Sequence, residues 1–417
     1  MFRLALAPQI WQTQLRGLAA PGHVGVAPLN RNQLPATTEF VARSLEIRAG
    51  GATGTDFGSL DELLLVRLAD AVAVADTVEM ITRFSPRPDQ VVVGLAMGHG
   101  RAAGCWTASV WEHGRFLRVR ELRLVGPQMR RMTIDEQRPE QPLGERWSRT
   151  RGALGEEVWR KVRDSRVAII GASRNGSITA VSLAMLGVRT IVLIDPDRDE
   201  LHGLDATLGA VPAGLGNPKA LNRSKALLRI RPNDLEVHPL VLPFPHPKAE
   251  EALRDCDLIC TCVDRDTARL AAAEFANRWC KVHLDIGTGV FHAEADRVAG
   301  ADVRLLLPGQ ACVLCFGGVR NLQEARYEVV GRPEALRRGP RREWSEERAC
   351  SLVTLNSIAT NFGVQLFLDL LAGRVLESRW CRLELGNDGR VNVTYPSIPD
   401  APCGTCQRAR GHLGPLR

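Results

Sequence analysis

The stretch RVAIIGASRNGSITAVSLAMLG occupies residues 166–187. A run of β-branched and apolar residues ends on Gly171, a polar turn follows, and a helix-like pattern begins at about Ser177. Buried strand, glycine turn and helix in that order open a nucleotide-binding fold, in which backbone N–H groups at the helix start face a phosphate. The turn holds only Gly171 and Gly176, where such loops usually carry three glycines, so by itself it is a weak signal.

Working outward, strands are expected at RVAII (166–170), TIVLID (190–195), DLICTCVD (257–264) and KVHLDIG (281–287), with helices over 177–187, 224–230 and 266–279. Near-continuous apolar strands joined by helices imply an α/β fold, a Rossmann-like and mostly parallel sheet covered on both faces. Ligands of such sheets sit outside the carboxyl ends of the strands. Asp195 ends a strand about 20 residues past the turn, where a carboxylate accepts from a ribose hydroxyl. The glycine turn and Asp195 alone are equally compatible with an NAD-dependent dehydrogenase. Lys219 in GNPKA (216–220) and Asp264 in CVDRDTAR (262–269) tip the balance, because a lysine for phosphate and a carboxylate for Mg2+ suit ATP better than NAD.

Two doublets, Cys312-Val-Leu-Cys315 and Cys403-Gly-Thr-Cys406, supply four thiolates. Four sulfurs around one ion make a structural zinc site with no position open for chemistry. Because Cys403 lies 88 positions after Cys315, the metal would pin the C-terminal tail back onto its domain. Two unrelated doublets, one or both redox-active, are the alternative. Cys256, Cys260, Cys262 and Cys280 lie in or beside strand patterns and are expected as buried small hydrophobes.

Residues 1–126 form a smaller N-terminal α+β accessory domain, with a helix over SLDELLLVRLADAVAVADTVEMI (59–81) and strand-like runs at 90–98 and 107–126. The polar, proline-bearing tract at 127–143 is a linker, and 144–417 the nucleotide-binding domain. Within it, PEALRRGPRREWSEER (333–348) belongs to a charged crossover over 321–350, and LVTLNSIATNFGVQLFLDLLAG (352–373) is a long apolar helix ended by Gly373.

With 417 residues, 45% of them apolar and 24% charged, the chain has the composition of a globular protein of two or three domains. The net charge is +7, yet only five of the 54 basic residues are lysine, a bias that reads as a GC-rich genome. The arginines are spread without aromatic interleaving, so no nucleic-acid partner is expected; a mildly acidic protein partner suits the surface. No window approaches the ~18 apolar residues of a membrane span, and the first residues carry no small-residue cleavage pattern. Eleven unevenly spaced cysteines favour metal or catalytic use in a reducing, cytoplasmic setting.

Residues from about 144 to 406 resemble the ThiF/MoeB/HesA family, adenylating enzymes related to ubiquitin-activating enzymes. ERWSRTRGALG (145–155) is similar to the family's opening helix, whose arginine, here Arg149, reaches into the partner subunit's ATP site. The turn (Gly171, Ser173, Arg174, Gly176) matches the nucleotide loop, IDPD the ribose-binding Asp195, NPK the phosphate-binding Lys219, and CVDRDTAR the magnesium-associated Asp264 with Arg269 beyond it. Both cysteine pairs fall where the family holds zinc.

The chain departs from the family pattern in two places. An Asn-Leu-x-Arg segment is expected after Asp195, and HGLDAT has Gly203 for the asparagine and Ala206 for the phosphate-binding arginine. Ser173 and Arg174 replace the loop's middle glycines, and Arg174 is placed to restore a positive charge. Loss of a phosphate arginine costs several kcal/mol of transition-state stabilisation, which leaves a pseudoenzyme that binds nucleotide without turnover as a second reading.

The resemblance implies a homodimer that uses ATP and Mg2+ to adenylate the C-terminal carboxylate of a bacterial ubiquitin-like protein, its tail lying in the active site. A sulfur carrier of thiamine or molybdopterin synthesis is the alternative substrate. Many relatives then move the acyl group to a cysteine. Cys350, after the charged crossover and at a helix start, is the leading nucleophile, with Cys381 and Cys105 behind it. A conjugating-enzyme-like partner follows, and by analogy with fused architectures antiviral defence is the expected setting. The N-terminal domain resembles, more faintly, JAB/MPN-like appendages. It lacks their His-x-His pair, since His23, His99 and His113 are isolated, so no protease is expected and partner binding is.

Overall fold

A computed structural model describes residues 2–12, 14, 18, 23–33, 38–42, 46–49, 61–69, 72–98, 105–133, 145–291, 298–319, 352–386, 390–397 and 403–408. The chain divides into two compact units, residues 1–141 with 407–417, and residues 142–406.

The first unit contains β1 (Phe2–Leu6), α1 (Pro8–Gln12), β2 (His23–Gln33), β3 (Thr38–Ala42), β4 (Glu46–Ala49), β5 (Glu62–Ala69), α2 (Val74–Phe84), β6 (Val91–Gly98), β7 (Trp106–Glu112), β8 (Arg115–Leu124) and β9 (Arg130–Thr133). The strands run β1-β3-β2-β5-β6-β7-β8, and β8 pairs again with β1, so seven strands close a ring. Closure leaves no open edge within the ring. Leu4, Phe40, Leu64, Val93, Val110 and Leu122 fill one core, while Met80, Ile81 and Phe84 of α2 cover the opposite faces at Leu63, Leu65 and Val92. The expected α+β domain is therefore a closed mixed barrel that carries two α-helices among its described residues. The helix expected over 59–81 is a strand followed by a shorter helix. ELLLVRLA is apolar on both faces because the barrel core takes one and α2 the other, which erases the period-2 signal. The tract read as a linker contains β9, paired to β8.

The second unit contains α3 (Ser148–Leu154), α4 (Glu156–Asp164), β10 (Arg166–Ile170), α5 (Arg174–Leu186), β11 (Thr190–Ile194), α6 (Lys219–Ile230), β12 (Glu236–Leu240), α7 (Pro247–Arg254), β13 (Leu258–Thr261), α8 (Asp266–Arg278), β14 (Val282–Phe291), β15 (Val298–Leu306), α9 (Val353–Leu371), β16 (Arg379–Leu385), β17 (Val391–Thr394) and the start of α10 (Gly404–Arg408). One sheet has the order β12-β11-β10-β13-β14-β15-β16-β17. Its first five strands are parallel, as the strand and helix alternation implies. The remaining three pairings are antiparallel, so the sheet is mixed, with four of its seven pairings parallel. Only six residues separate β14 from β15, too few for the crossover a parallel pair needs.

Ala168, Ile170, Val192 and Ile194 pack one face of this sheet against Ala249 and Leu253 of α7 and Ala272 and Phe275 of α8. Helix α9 packs on α5, β14 and β15. The apolar helix expected over 352–373 is α9, whereas the crossover at 321–350, Cys350 included, lies outside the described residues. No helix among the described residues is long and apolar enough to cross a membrane.

Candidate functional site

Strand register decides what lies together. Ile170 pairs with Ile194 and with Thr261, and Thr261 pairs with Asp285. The four strands β10, β11, β13 and β14 thus deliver the residues that follow these positions to one sheet edge: Gly171–Ser173, Asp195–Asp197, Cys262–Asp264 and Ile286–Thr288.

Gly171 leaves β10 at φ +91°, in the left-handed region, and a Cβ there would stand 2.6 Å from the Cys262 carbonyl oxygen. A Cβ on Gly176 would fall 1.7 Å from the Gly171 carbonyl oxygen. Two glycines therefore suffice, because each sits where backbone meets backbone. Helix α5 starts at Arg174, earlier than expected, which places Arg174 and Gly176 in its first turn and leaves Gly171–Ser173 as the loop. Arg174 is half-buried, and no partner for its guanidinium is found among the described residues.

Asp195 is 4% exposed. One oxygen accepts the N–H of Ala172 at 2.7 Å and the other that of Asp197 at 2.8 Å. Burial pushes its carboxyl above the usual range, opposed by the charge of Lys219 and the two N–H groups. Lys219 begins α6, where its N–H donates to the Asp197 carbonyl at 2.8 Å and its Nζ to the Asp197 carboxylate at 3.2 Å. Asp264 is exposed, just before α8. The turn, Asp195, Lys219 and Asp264 hence share one edge. Arg149 is exposed on α3, with no ion pair among the described residues.

The segment after Asp195 is locked from beneath. Buried Arg223 of α6 pairs with Asp199 and donates to the Leu208 carbonyl at 3.2 Å. Asn222 donates to Asp199 at 2.7 Å. Ala206, in the place of the family's arginine, is 3% exposed.

The four sulfurs of Cys312, Cys315, Cys403 and Cys406 lie within 4.8 Å of one another, with separations of 3.4 Å (Cys312–Cys403), 3.7 Å (Cys315–Cys406), 3.8 Å (Cys403–Cys406) and 4.0 Å (Cys312–Cys315). A tetrahedral zinc with Zn–S of about 2.3 Å has an S···S edge of about 3.8 Å, so the donor set fits that ion. Hydrogen bonding from Cys312 holds the Cys403 thiol down to about 6. Hydrogen bonds with the neighbouring cysteines push the Cys312 and Cys406 thiols up, and all four would ionise together only with a cation among them. Of the other cysteines, Cys256, Cys260 and Cys280 are buried and Cys262 is half-buried. Burial pushes Cys262 up to about 12 and Cys381, which is 0% exposed, up to about 11, a setting that does not favour a thiolate nucleophile. Cys105 is exposed.

Sequence reasoning passed over one polar group. Asp285, fully buried on β14, accepts from Thr261 Oγ1 at 2.6 Å, Arg304 at 3.0 Å and Arg269 at 3.4 Å. Burial alone would raise its carboxyl, but the two arginines outweigh it and hold it below the usual range. Thr261 also meets His283 Nε2 at 2.9 Å. The signal was available in KVHLDIG, where His283 and Asp285 lie two apart, on one face of an otherwise apolar strand.

A family model described as the ThiF family matches residues 147–374. The chain is similar to ubiquitin-like modifier-activating enzyme 5 of Gallus gallus, at 28% identity over 169 residues, covering 38% of this chain and 41% of the relative. It is also similar to molybdopterin-synthase adenylyltransferase of Escherichia coli (strain K12), at 26% over 155 residues, 37% of this chain and 55% of the relative. The chain thus spans about two fifths to just over half the length of these relatives. Among solved structures it is similar to E. coli MccB in complex with AMPCPP and MccA, with a TM-score of 0.48 and 17% identity, covering 64% of this chain and 75% of that one.

Proposed function

Because the chain belongs to the ThiF family, we propose that its second unit uses ATP to adenylate the C-terminal carboxylate of a small protein, a bacterial ubiquitin-like modifier. The observation that carries this reading is the convergence of the Gly171–Gly176 turn, Asp195, Lys219 and Asp264 at one sheet edge. In the reaction, a carboxylate oxygen of the tail attacks the α-phosphorus of ATP. The bond from that phosphorus to the bridging oxygen breaks, and pyrophosphate leaves with the electron pair. No proton moves, so the protein positions the groups and offsets charge rather than supplying a base. The N–H groups of Ser173 and Arg174 cradle phosphate, Asp195 accepts from the ribose, and Lys219 and Arg174 face the phosphates. Asp264 would hold Mg2+, which would supply positive charge to offset that of the phosphates. Cys312, Cys315, Cys403 and Cys406 hold a structural zinc that fastens the tail.

Arg149, exposed and unpaired among the described residues, completes the ATP site of a second copy in a homodimer. The acyl group then passes to the Cys350 thiolate with release of AMP, and on to a conjugating-enzyme-like partner, in the cytoplasm and in a defence pathway. Residues 1–126 recognise one of these partners. A second reading, nucleotide binding without turnover, is favoured by the buried Ala206, and a sulfur-carrier substrate is favoured by the likeness to molybdopterin-synthase adenylyltransferase.

ATP–pyrophosphate exchange with candidate modifiers and sulfur carriers, followed by a non-reducing gel, tests these together. Exchange with a thioester on Cys350 is the expected result. Exchange without one removes the role of Cys350, ATP binding without exchange supports the second reading, and NADH binding without ATP binding overturns the proposal.

A further inference from the structure

Four residues form one row across the second sheet: Thr261 on β13 pairs with Asp285 on β14, Asp285 with Arg304 on β15, and Arg304 with Trp380 on β16. Cross-strand partners share a face, so the row is a continuous polar line through an apolar sheet. Asp285 is 0% and Arg304 2% exposed. Arg269 and Arg304 are balanced by Asp285 and Asp302, the latter 3.1 Å from Arg304. Replacing such buried ion pairs by apolar residues is often neutral or stabilising, so stability alone does not account for the row.

Its two ends touch the two constellations of the chain. At one end, Arg269 Nε donates to the Val263 carbonyl at 3.0 Å while its NH1 contacts Asp285. Val263 immediately precedes Asp264. Gly287 leaves room for this guanidinium, since a Cβ there would stand 2.8 Å from Arg269 NH2. At the other end, Arg304 Nε donates to the Phe316 carbonyl at 3.3 Å, within the turn that follows Cys315. The Arg304 guanidinium lies 5.0 Å from the Trp380 ring, which packs on Phe316 at 5.6 Å. The N–H of Phe316 in turn donates to the Cys312 carbonyl at 3.3 Å.

We propose that Arg269, Asp285 and Arg304 are positioning residues that couple the four-cysteine turn to the Asp264 loop. With the turn tied by its metal, Arg304 and Asp285 hold Arg269 on the Val263 carbonyl and Asp264 stays aimed for Mg2+. With the turn released, MgATP binds more weakly. The inference rests on the adenylation reading of the same site.

The test is calorimetric titration of ATP into the full chain, with Mg2+ or with EDTA, before and after zinc removal, with a melting profile for each sample. Arg269→Lys keeps the cation but loses the forked contact, and is expected to lower affinity about tenfold with Mg2+ and to leave the EDTA value unchanged. Zinc removal is expected to lower MgATP affinity of the natural chain about tenfold and that of Arg304→Met less than twofold. Arg304→Lys, which keeps a charge beside Asp285, serves as the second variant and is expected to behave likewise. Equal losses with and without Mg2+ in Arg269→Lys, or an equal effect of zinc removal in both backgrounds, overturn the coupling. So does melting of the zinc-free natural chain at the titration temperature, which makes the metal a global fold element. Absence of ATP binding in the natural chain overturns the adenylation reading as well.

Discussion

The carboxylate of Asp195 accepts the backbone N–H of Ala172 at 2.7 Å, so the residue that follows β11 also shapes the loop that leaves β10. Its second oxygen takes the N–H of Asp197, and a ribose hydroxyl would be a further guest on an acceptor already organised by the fold.

Asp195→Ala leaves the buried N–H of Ala172 without its acceptor, a cost of about 1–3 kcal/mol, while the N–H of exposed Asp197 can turn to water. Asp195→Asn keeps one acceptor and should lose roughly half as much. Urea unfolding and ATP titration on the same samples check this; unchanged stability of Asp195→Ala would refute the loop-shaping role.

Gly176→Ala drives a Cβ into the Gly171 carbonyl and should abolish nucleotide binding. Gly152→Ala, within exposed α3 where a Cβ meets nothing within 4 Å, should instead stabilise by about 0.5–1 kcal/mol. Opposite signs in thermal melts are the expected readout.

Metal analysis should find one zinc per chain. Cys315→Ser or Cys403→Ser should lose it and lower the melting temperature, because the four-sulfur cluster ties α10 to the turn after β15. A bound stoichiometry that survives either substitution would place the metal elsewhere.

Ala206→Arg restores the family's residue type, yet position 206 is buried. Overpacking there should cost about 1–3 kcal/mol without raising pyrophosphate exchange. A gain in exchange would mean that the segment after Asp199 opens to accept the side chain.

Burial holds the His283 imidazole down to about 4 from an ordinary 6.5, so the folded chain keeps it neutral where the unfolded chain protonates it. The unfolded state binds more protons between these values. Stability from this group is therefore full above pH 6.5 and is lost as pH falls towards 4, a change on the order of 3 kcal/mol. His283→Gln should flatten that part of the stability–pH curve; an unaltered slope would contradict it.

The chain order of strands, helices and glycine turn was readable around the site because parallel strands buried on both faces are uninterrupted apolar runs. RVAII, TIVLID and KVHLDIG each mark one. The same rule failed at ELLLVRLA, where a strand buried on both faces mimics a helix, and the long pairing of β8 back to β1 that closes the barrel leaves no local trace. Asp285 and Arg304 are plainly charged residues in apolar strands, but nothing in their spacing says that they meet.

The sequence by itself determined which groups are present: a two-glycine turn between strand and helix, Asp195, Lys219 and Asp264 at strand and helix ends, and two cysteine doublets. Local periodicity and turn stereochemistry act over a few residues, so they suffice for that much. Only the tertiary structure decided which groups meet. Strand register set the row from Thr261 to Trp380, backbone contact made Gly171 and Gly176 sufficient without a third glycine, and burial closed position 206 to an arginine. Each of these depends on atoms far apart in the chain, whose distances are fixed only when the sheet forms.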